Sequence, residues 1–201
     1  MEKYKSYDSL LITKTRKKPR IIVTVFVVLC IAGIYIYDSF HIGKELDRYK
    51  EVSVYYNGII FTQSHGKNLS DTGYYYGYKW QCVEYIKRFF YDAKNHAMPD
   101  LFGHAKDFFD PRIEQGQINE SRGLFQYKNG YGVSPQPDDL LVFTDTKYGH
   151  VAIITEVTET YIEVIQQNVL GKTRDRLPLS IENGKYFVGS KRKPAGWLRL
   201  E

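Results

Sequence analysis

The chain has 201 residues, enough for one compact domain and a short extra element. Its formal charge of +5 resides entirely in residues 1–20, where seven Lys/Arg stand against two acids, and the rest sums to zero. A neutral main body gives no support for a nucleic-acid-binding face, and no nucleic-acid partner is expected.

In chain order, residues 1–20 read as a basic tail and residues 21–37 as a transmembrane helix. The run Ile21 to Tyr37 is 17 residues long and carries no charge. That is the short end for a spanning helix, and flanking basic residues can snorkel. Lys14, Arg16, Lys17, Lys18 and Arg20 crowd its N-terminal side, so the N-terminus is expected in the cytoplasm and the following domain outside the cell membrane. A buried helix or a cleaved signal peptide are the alternatives. Against cleavage, Ile34-Tyr35-Ile36-Tyr37 offers no small-x-small site. Cys30 reads as an apolar filler within this run.

Residues 38–51 read as a linker or stalk, with His41 to Lys50 a short polar helix or stalk, and residues 52–201 as the main domain. Val52 to Phe61 suits extended chain around the Asn57-Gly58 turn. Gln63 to Gly77 is polar, rich in Gly and Tyr, and expected as loop. From Cys82 to about Tyr91, Val83, Ile86, Phe89 and Phe90 recur at helical spacing. Ala105 to Phe109 is a candidate helical turn. Ile113 to Gln136 is loop-rich, with Leu124 to Tyr127 its best strand. Leu140 to Phe143 is a buried strand, and His150 to Val157 with Tyr161 to Gln167 flanks a hairpin loop. Phe187-Val188 and Trp197 to Leu200 are closing strands. Helices early and antiparallel strands late predict an α+β domain.

The candidate chemistry lies in Tyr78-Lys79-Trp80-Gln81-Cys82-Val83-Glu84-Tyr85 and in Gly149-His150-Val151-Ala152. Cys82 opens a helix, where free backbone N–H groups and the helix dipole favour the thiolate. It is the one cysteine outside the apolar run. If the hairpin turns at Glu159, residue 150 pairs near residue 168, and His150 meets Gln166 or Asn168. A helix-borne cysteine, a strand-borne histidine and an amide orienting the imidazole would hydrolyse amides through a thioester. Trp80 and Gln81 are candidate cleft residues, although Trp80 also suits packing under the helix. Cys82 as an inert core thiol is the bland alternative. His65, His96 and His104 show no metal spacing, and neither metal nor cofactor is expected.

These blocks, with Asp139-Leu140-Leu141-Val142-Phe143 and Gln167-Asn168, resemble the CHAP domains, the cysteine- and histidine-dependent amidohydrolases/peptidases of the papain-like and NlpC/P60-like group. Within it they resemble the amidase domain of glutathionylspermidine synthetase/amidase. The resemblance covers roughly residues 52–200. It implies a nucleophile helix on an antiparallel sheet, Cys82 as nucleophile and His150 as base. The family's acidic third member falls on Gln166, a departure that removes the charge supporting imidazolium; Asn168 is a second candidate for the orienting role. The resemblance and the apolar run together imply a membrane-anchored enzyme cutting peptidoglycan or another amide or peptide substrate. A glutathionylspermidine-like amide hydrolase and a catalytically weak or inactive envelope binding protein are the alternatives.

Overall fold

A computed structural model describes residues 18–201; most of the basic tail expected over residues 1–20 lies outside them. The chain divides into a unit ending at Phe40 and a second unit, His41–Glu201. The first contains all of helix α1, Lys18–His41, but its last residue. At 1.5 Å per residue its 24 residues span about 36 Å, against about 30 Å of bilayer hydrocarbon. Its stretch Arg20–His41 is long and apolar enough to cross a membrane, and its large side chains stand exposed.

The second unit begins with a hairpin, β1 (Glu45–Tyr49) against β2 (Val52–Tyr55). Half of the segment expected as polar helix or stalk, Glu45–Tyr49, is thus strand. The turn residues Lys50 and Glu51 have φ of 46° and 61°, the backbone of a tight hairpin turn usually signalled by Asn-Gly. Lys-Glu carries no such signal, so the hairpin was invisible in the sequence. The segment expected as loop before Cys82 contains a second hairpin, β3 (Lys67–Leu69) with β4 (Tyr75–Tyr78).

Helix α2 runs Cys82–Lys94, slightly longer than expected, and Asn95 ends it in the left-handed region. A single 3-10 turn follows at Ala105–Phe108. The remaining strands are β5 (Gln117–Asn119), β6 (Leu124–Lys128), β7 (Leu140–Phe143), β8 (His150–Val157), β9 (Tyr161–Ile165), β10 (Arg174–Glu182), β11 (Lys185–Val188) and β12 (Gly196–Arg199). They form one eight-stranded antiparallel sheet in the order β11-β10-β9-β8-β7-β12-β6-β5.

Strand β10 was not anticipated. Its start, Arg174-Asp175-Arg176, is charged, and Pro178 interrupts it. The strand uses this break: Arg174–Pro178 pair with β9, whereas Leu179–Glu182 pair with β11. Proline, which lacks a donor, stands where the ladder changes partner.

The sheet separates two cores. On one face Tyr85, Ile86, Phe89 and Phe90 of α2 pack with Leu140, Val142, Val151 and Ile153. On the other, Leu141, Phe143, Ala152, Ile154 and Ile162 surround Trp197. The period of two in β7 and β8 supplies both faces, so these strands are apolar throughout Leu140–Phe143 and Val151–Ile154. The hydrophobic period of α2 therefore fixes the helix to one face of a sheet that is itself buried on both sides.

Trp197 is fully buried, and its indole N–H has no hydrogen-bond partner. Trp197→Ala should cost about 3–5 kcal/mol through the cavity it leaves. Trp197→Phe should cost clearly less, because it keeps most of the ring and removes an unpaired donor. Denaturant unfolding followed by circular dichroism measures both; equal losses would contradict the packing described.

Candidate active site

Three amide and carboxylate side chains build the floor of the site. Glu84, on the first turn of α2, is fully buried. Its carboxylate accepts from Arg88 Nε at 2.7 Å, Asn68 Nδ2 at 2.7 Å and Gln167 Nε2 at 2.7 Å. Gln167 also donates to the Gln81 carbonyl at 3.0 Å and accepts from the Tyr55 N–H at 2.8 Å. One side chain just beyond β9 thus ties together the start of α2, β2 and the buried acid. Arg88 adds its guanidinium over the Tyr55 ring, 5.0 Å from the centroid. Gly77 permits this approach: with φ at 144°, a Cβ there would lie 3.2 Å from the Glu84 backbone.

Gln81 precedes the helix in extended conformation and makes no capping bond to it. Its side chain instead donates to the Phe61 and Gln63 carbonyls at 3.1 and 2.9 Å and accepts from Asn168 Nδ2 at 2.7 Å. Trp80 packs against Tyr55, ring centroids 4.3 Å apart. Both expected cleft residues therefore hold the loop before the helix.

Cys82 is the first residue of α2 and keeps some solvent exposure. Backbone N–H groups of Val151, Val83 and Cys82 itself favour its thiolate, as does the charge of Arg192. Burial outweighs them and pushes the thiol up to about 11. The helix-terminus effect expected from the sequence is present, but desolvation of the anion is larger. The sulfur's contact with Val151 places it against the residue next to His150.

His150 opens β8 and is buried. Gly149 makes the entry possible: its φ is 73°, and a Cβ there would meet Lys106 N at 2.5 Å and Phe143 O at 2.6 Å. His150 Nε2 lies 2.9 Å from Gln166 Oε1. A carbonyl oxygen can only accept, so this contact assigns the proton to Nε2 and leaves Nδ1 as the basic nitrogen. Burial lowers the histidine to about 4, only partly opposed by the Gln166 bond. Arg192 lowers it further and Asp145 raises it. Both shifts favour the uncharged forms of the thiol and the imidazole.

The β8–β9 register agrees with the expected pairing: Ile153 faces Ile165 and Ile154 faces Val164. Of the two orienting candidates, Gln166 reaches the imidazole. Asn168 turns away with φ of 66°. Its amide donates to Gln81 and to the Phe61 carbonyl, at 2.7 and 2.9 Å, and its oxygen accepts from Asn57 at 2.8 Å. It belongs to the loop anchor.

Arg192 and Asp145 were not singled out in the sequence. They form a two-bond ion pair at 2.7 and 2.9 Å, and the guanidinium lies over Phe143, 4.4 Å from the ring centroid. Phe143 in turn lies 6.3 Å from the His150 ring centroid. Forty-seven residues separate the ion pair's members, and no local pattern signals it. Among the described residues no cluster of three or more His, Cys, Asp or Glu could hold a metal ion.

An α+β body with a thiol at a helix start and an amide-held imidazole on the adjoining sheet belongs, by its parts, among candidate hydrolases. Comparison with known proteins narrows the class: a CHAP domain model matches residues 73–168. That segment contains Cys82, His150, Gln166 and Asn168. The chain is also 29% identical to the bifunctional glutathionylspermidine synthetase/amidase of Escherichia coli (strain K12) over 171 residues, 78% of this chain and 25% of that protein. It is 28% identical to a trypanothione synthetase of Crithidia fasciculata over 106 residues, 51% of this chain and 16% of that protein. The chain therefore spans a quarter or less of these curated relatives. Together the matches support a hydrolase of the amidase kind.

Two outcomes are expected. The pH profile of Cys82 alkylation by iodoacetamide should rise with a midpoint above that of an ordinary cysteine, as burial dictates. A midpoint below it would mean that the thiolate is favoured at rest. Separately, Glu84→Ala leaves Arg88 buried without its counter-charge and should cost on the order of 3–5 kcal/mol in denaturant unfolding.

Proposed function

We propose that the protein is a membrane-anchored thiol amidase or endopeptidase of papain-like arrangement, facing outward and cutting amide bonds of peptidoglycan. The observation that carries the reading is the His150–Gln166 contact beside a helix-borne cysteine. The amide fixes the imidazole tautomer and leaves its other nitrogen free to take a proton.

In this mechanism Cys82 attacks the amide carbon as its thiol proton passes to His150. The backbone N–H of Cys82, at the free end of α2, stabilises the developing oxyanion. His150 then protonates the leaving amine and the C–N bond breaks, leaving a thioester. Water attacks that ester, giving its proton to His150; the carboxylic acid departs and the proton returns to sulfur. Because burial favours the neutral forms of both groups, proton transfer in this mechanism accompanies attack rather than preceding it. Gln166 orients the ring but supplies no charge to stabilise imidazolium, so the enzyme is slower than one with an acid at that position.

The anchor reading draws on α1 and on the basic residues before it. It confines the hydrolase to wall near the membrane. A second reading, a γ-glutamyl-peptide–polyamine amide as substrate, draws on the name of the Escherichia coli relative.

Incubation of the chain with purified cell wall, and mass analysis of released fragments, tests the proposal. Cys82→Ala should abolish release, and His150→Ala should reduce it about 10²- to 10⁴-fold. Gln166→Ala should lower it less, whereas Gln166→Glu should raise the rate and move thiol alkylation to lower pH. Absence of fragments from several wall types would exclude peptidoglycan as substrate; release unaffected by Cys82→Ala would exclude the thioester mechanism.

A further inference from the structure

A cleft of about 410 Å³ adjoins the candidate site, within the size range of small-ligand pockets. Its wall includes Gln166, the side chain that holds His150, and Asn168, which anchors the loop before α2. Neither Cys82 nor His150 lines it, so it is a neighbour of the reacting groups, with Gln166 as the shared wall. The rest of the lining is dominated by apolar and aromatic side chains, and none of the lining residues carries a charge.

The rim is unusually apolar for exposed surface. Leu170 is 66% exposed, Phe61 63%, Leu46 49% and Ile59 43%. They come from three separated segments, yet all four border this one cleft. The amides of its polar wall are already engaged: Asn57 and Asn168 bond each other and the Phe61 carbonyl. No carboxylate lines the cleft, so a cation entering it would lose water without gaining an ion-pair partner from the lining.

We infer that this cleft is a substrate subsite for an uncharged apolar group, aliphatic or aromatic, lying beside the amide that is cut. The inference deepens the thiol-hydrolase reading and rests on it. It names the chemistry of one side of the substrate, and it opposes a polyamine, whose ammonium groups would find no carboxylate in the cleft. Binding energy from this group would position the scissile carbonyl without touching the reacting atoms.

Alkylation of Cys82 in the full-length chain, reconstituted in nanodiscs, tests it. The probes are N-ethyl iodoacetamide, N-octyl iodoacetamide and an octyl analogue ending in an ammonium group. The second-order rate constant for the octyl reagent should exceed that for the ethyl reagent at least tenfold, and the ammonium-ended analogue should lose that gain. Leu170→Asp, at an exposed position, should bring the octyl-to-ethyl ratio close to one, whereas Leu170→Phe should preserve it. Equal rates for the ethyl and octyl reagents, a ratio that survives Leu170→Asp, or a gain kept by the ammonium-ended analogue would overturn the subsite alone. Failure of every reagent to modify Cys82 would overturn the thiol reading beneath it.

Discussion

The buried carboxylate of Glu84 holds the site together. It is fully enclosed, yet three donors from Asn68, Arg88 and Gln167 reach it. A buried charge with fewer partners would be costly; the same cost makes this arrangement selective for one docking of α2. Gln167 carries the constraint onward to Tyr55 and to the Gln81 carbonyl. The start of the helix, and with it Cys82, is positioned by a network whose members lie as far as 112 residues apart.

Around that floor the electrostatics favour neutrality. Burial raises the Cys82 thiol and lowers the His150 imidazole. An acid at position 166 would oppose both shifts; the amide present there orients without charging. The adjoining cleft has the same character, since its lining is free of charge. The exposed Arg192–Asp145 pair supplies the nearest fixed charges acting on the histidine, and their two influences oppose each other.

Several elements were legible because their signal is local. The period of α2 requires one apolar face, and the apolar runs of β7 and β8 require burial on both. That His150 would meet Gln166 or Asn168 followed from hairpin arithmetic, since the period of two carries register across a short turn. The first hairpin was hidden because Lys50 and Glu51 adopt a left-handed backbone that their identities do not announce. Strand β10 was hidden by its charges and by Pro178, which only an exchange of partners accommodates.

The sequence by itself determined the apolar helix, helix α2 and the strands of the β7–β9 region, and the three side-chain types at positions 82, 150 and 166, because hydrophobic period and residue chemistry are properties of short segments; it did not reveal the two hairpins formed by the four strands before α2. Tertiary structure decided that Gln166 rather than Asn168 meets the imidazole, that Gln81 is tied to a loop, and that burial outweighs the helix terminus at the thiol. Those outcomes depend on desolvation and on donors brought from distant strands, neither of which is encoded in the neighbourhood of any one residue.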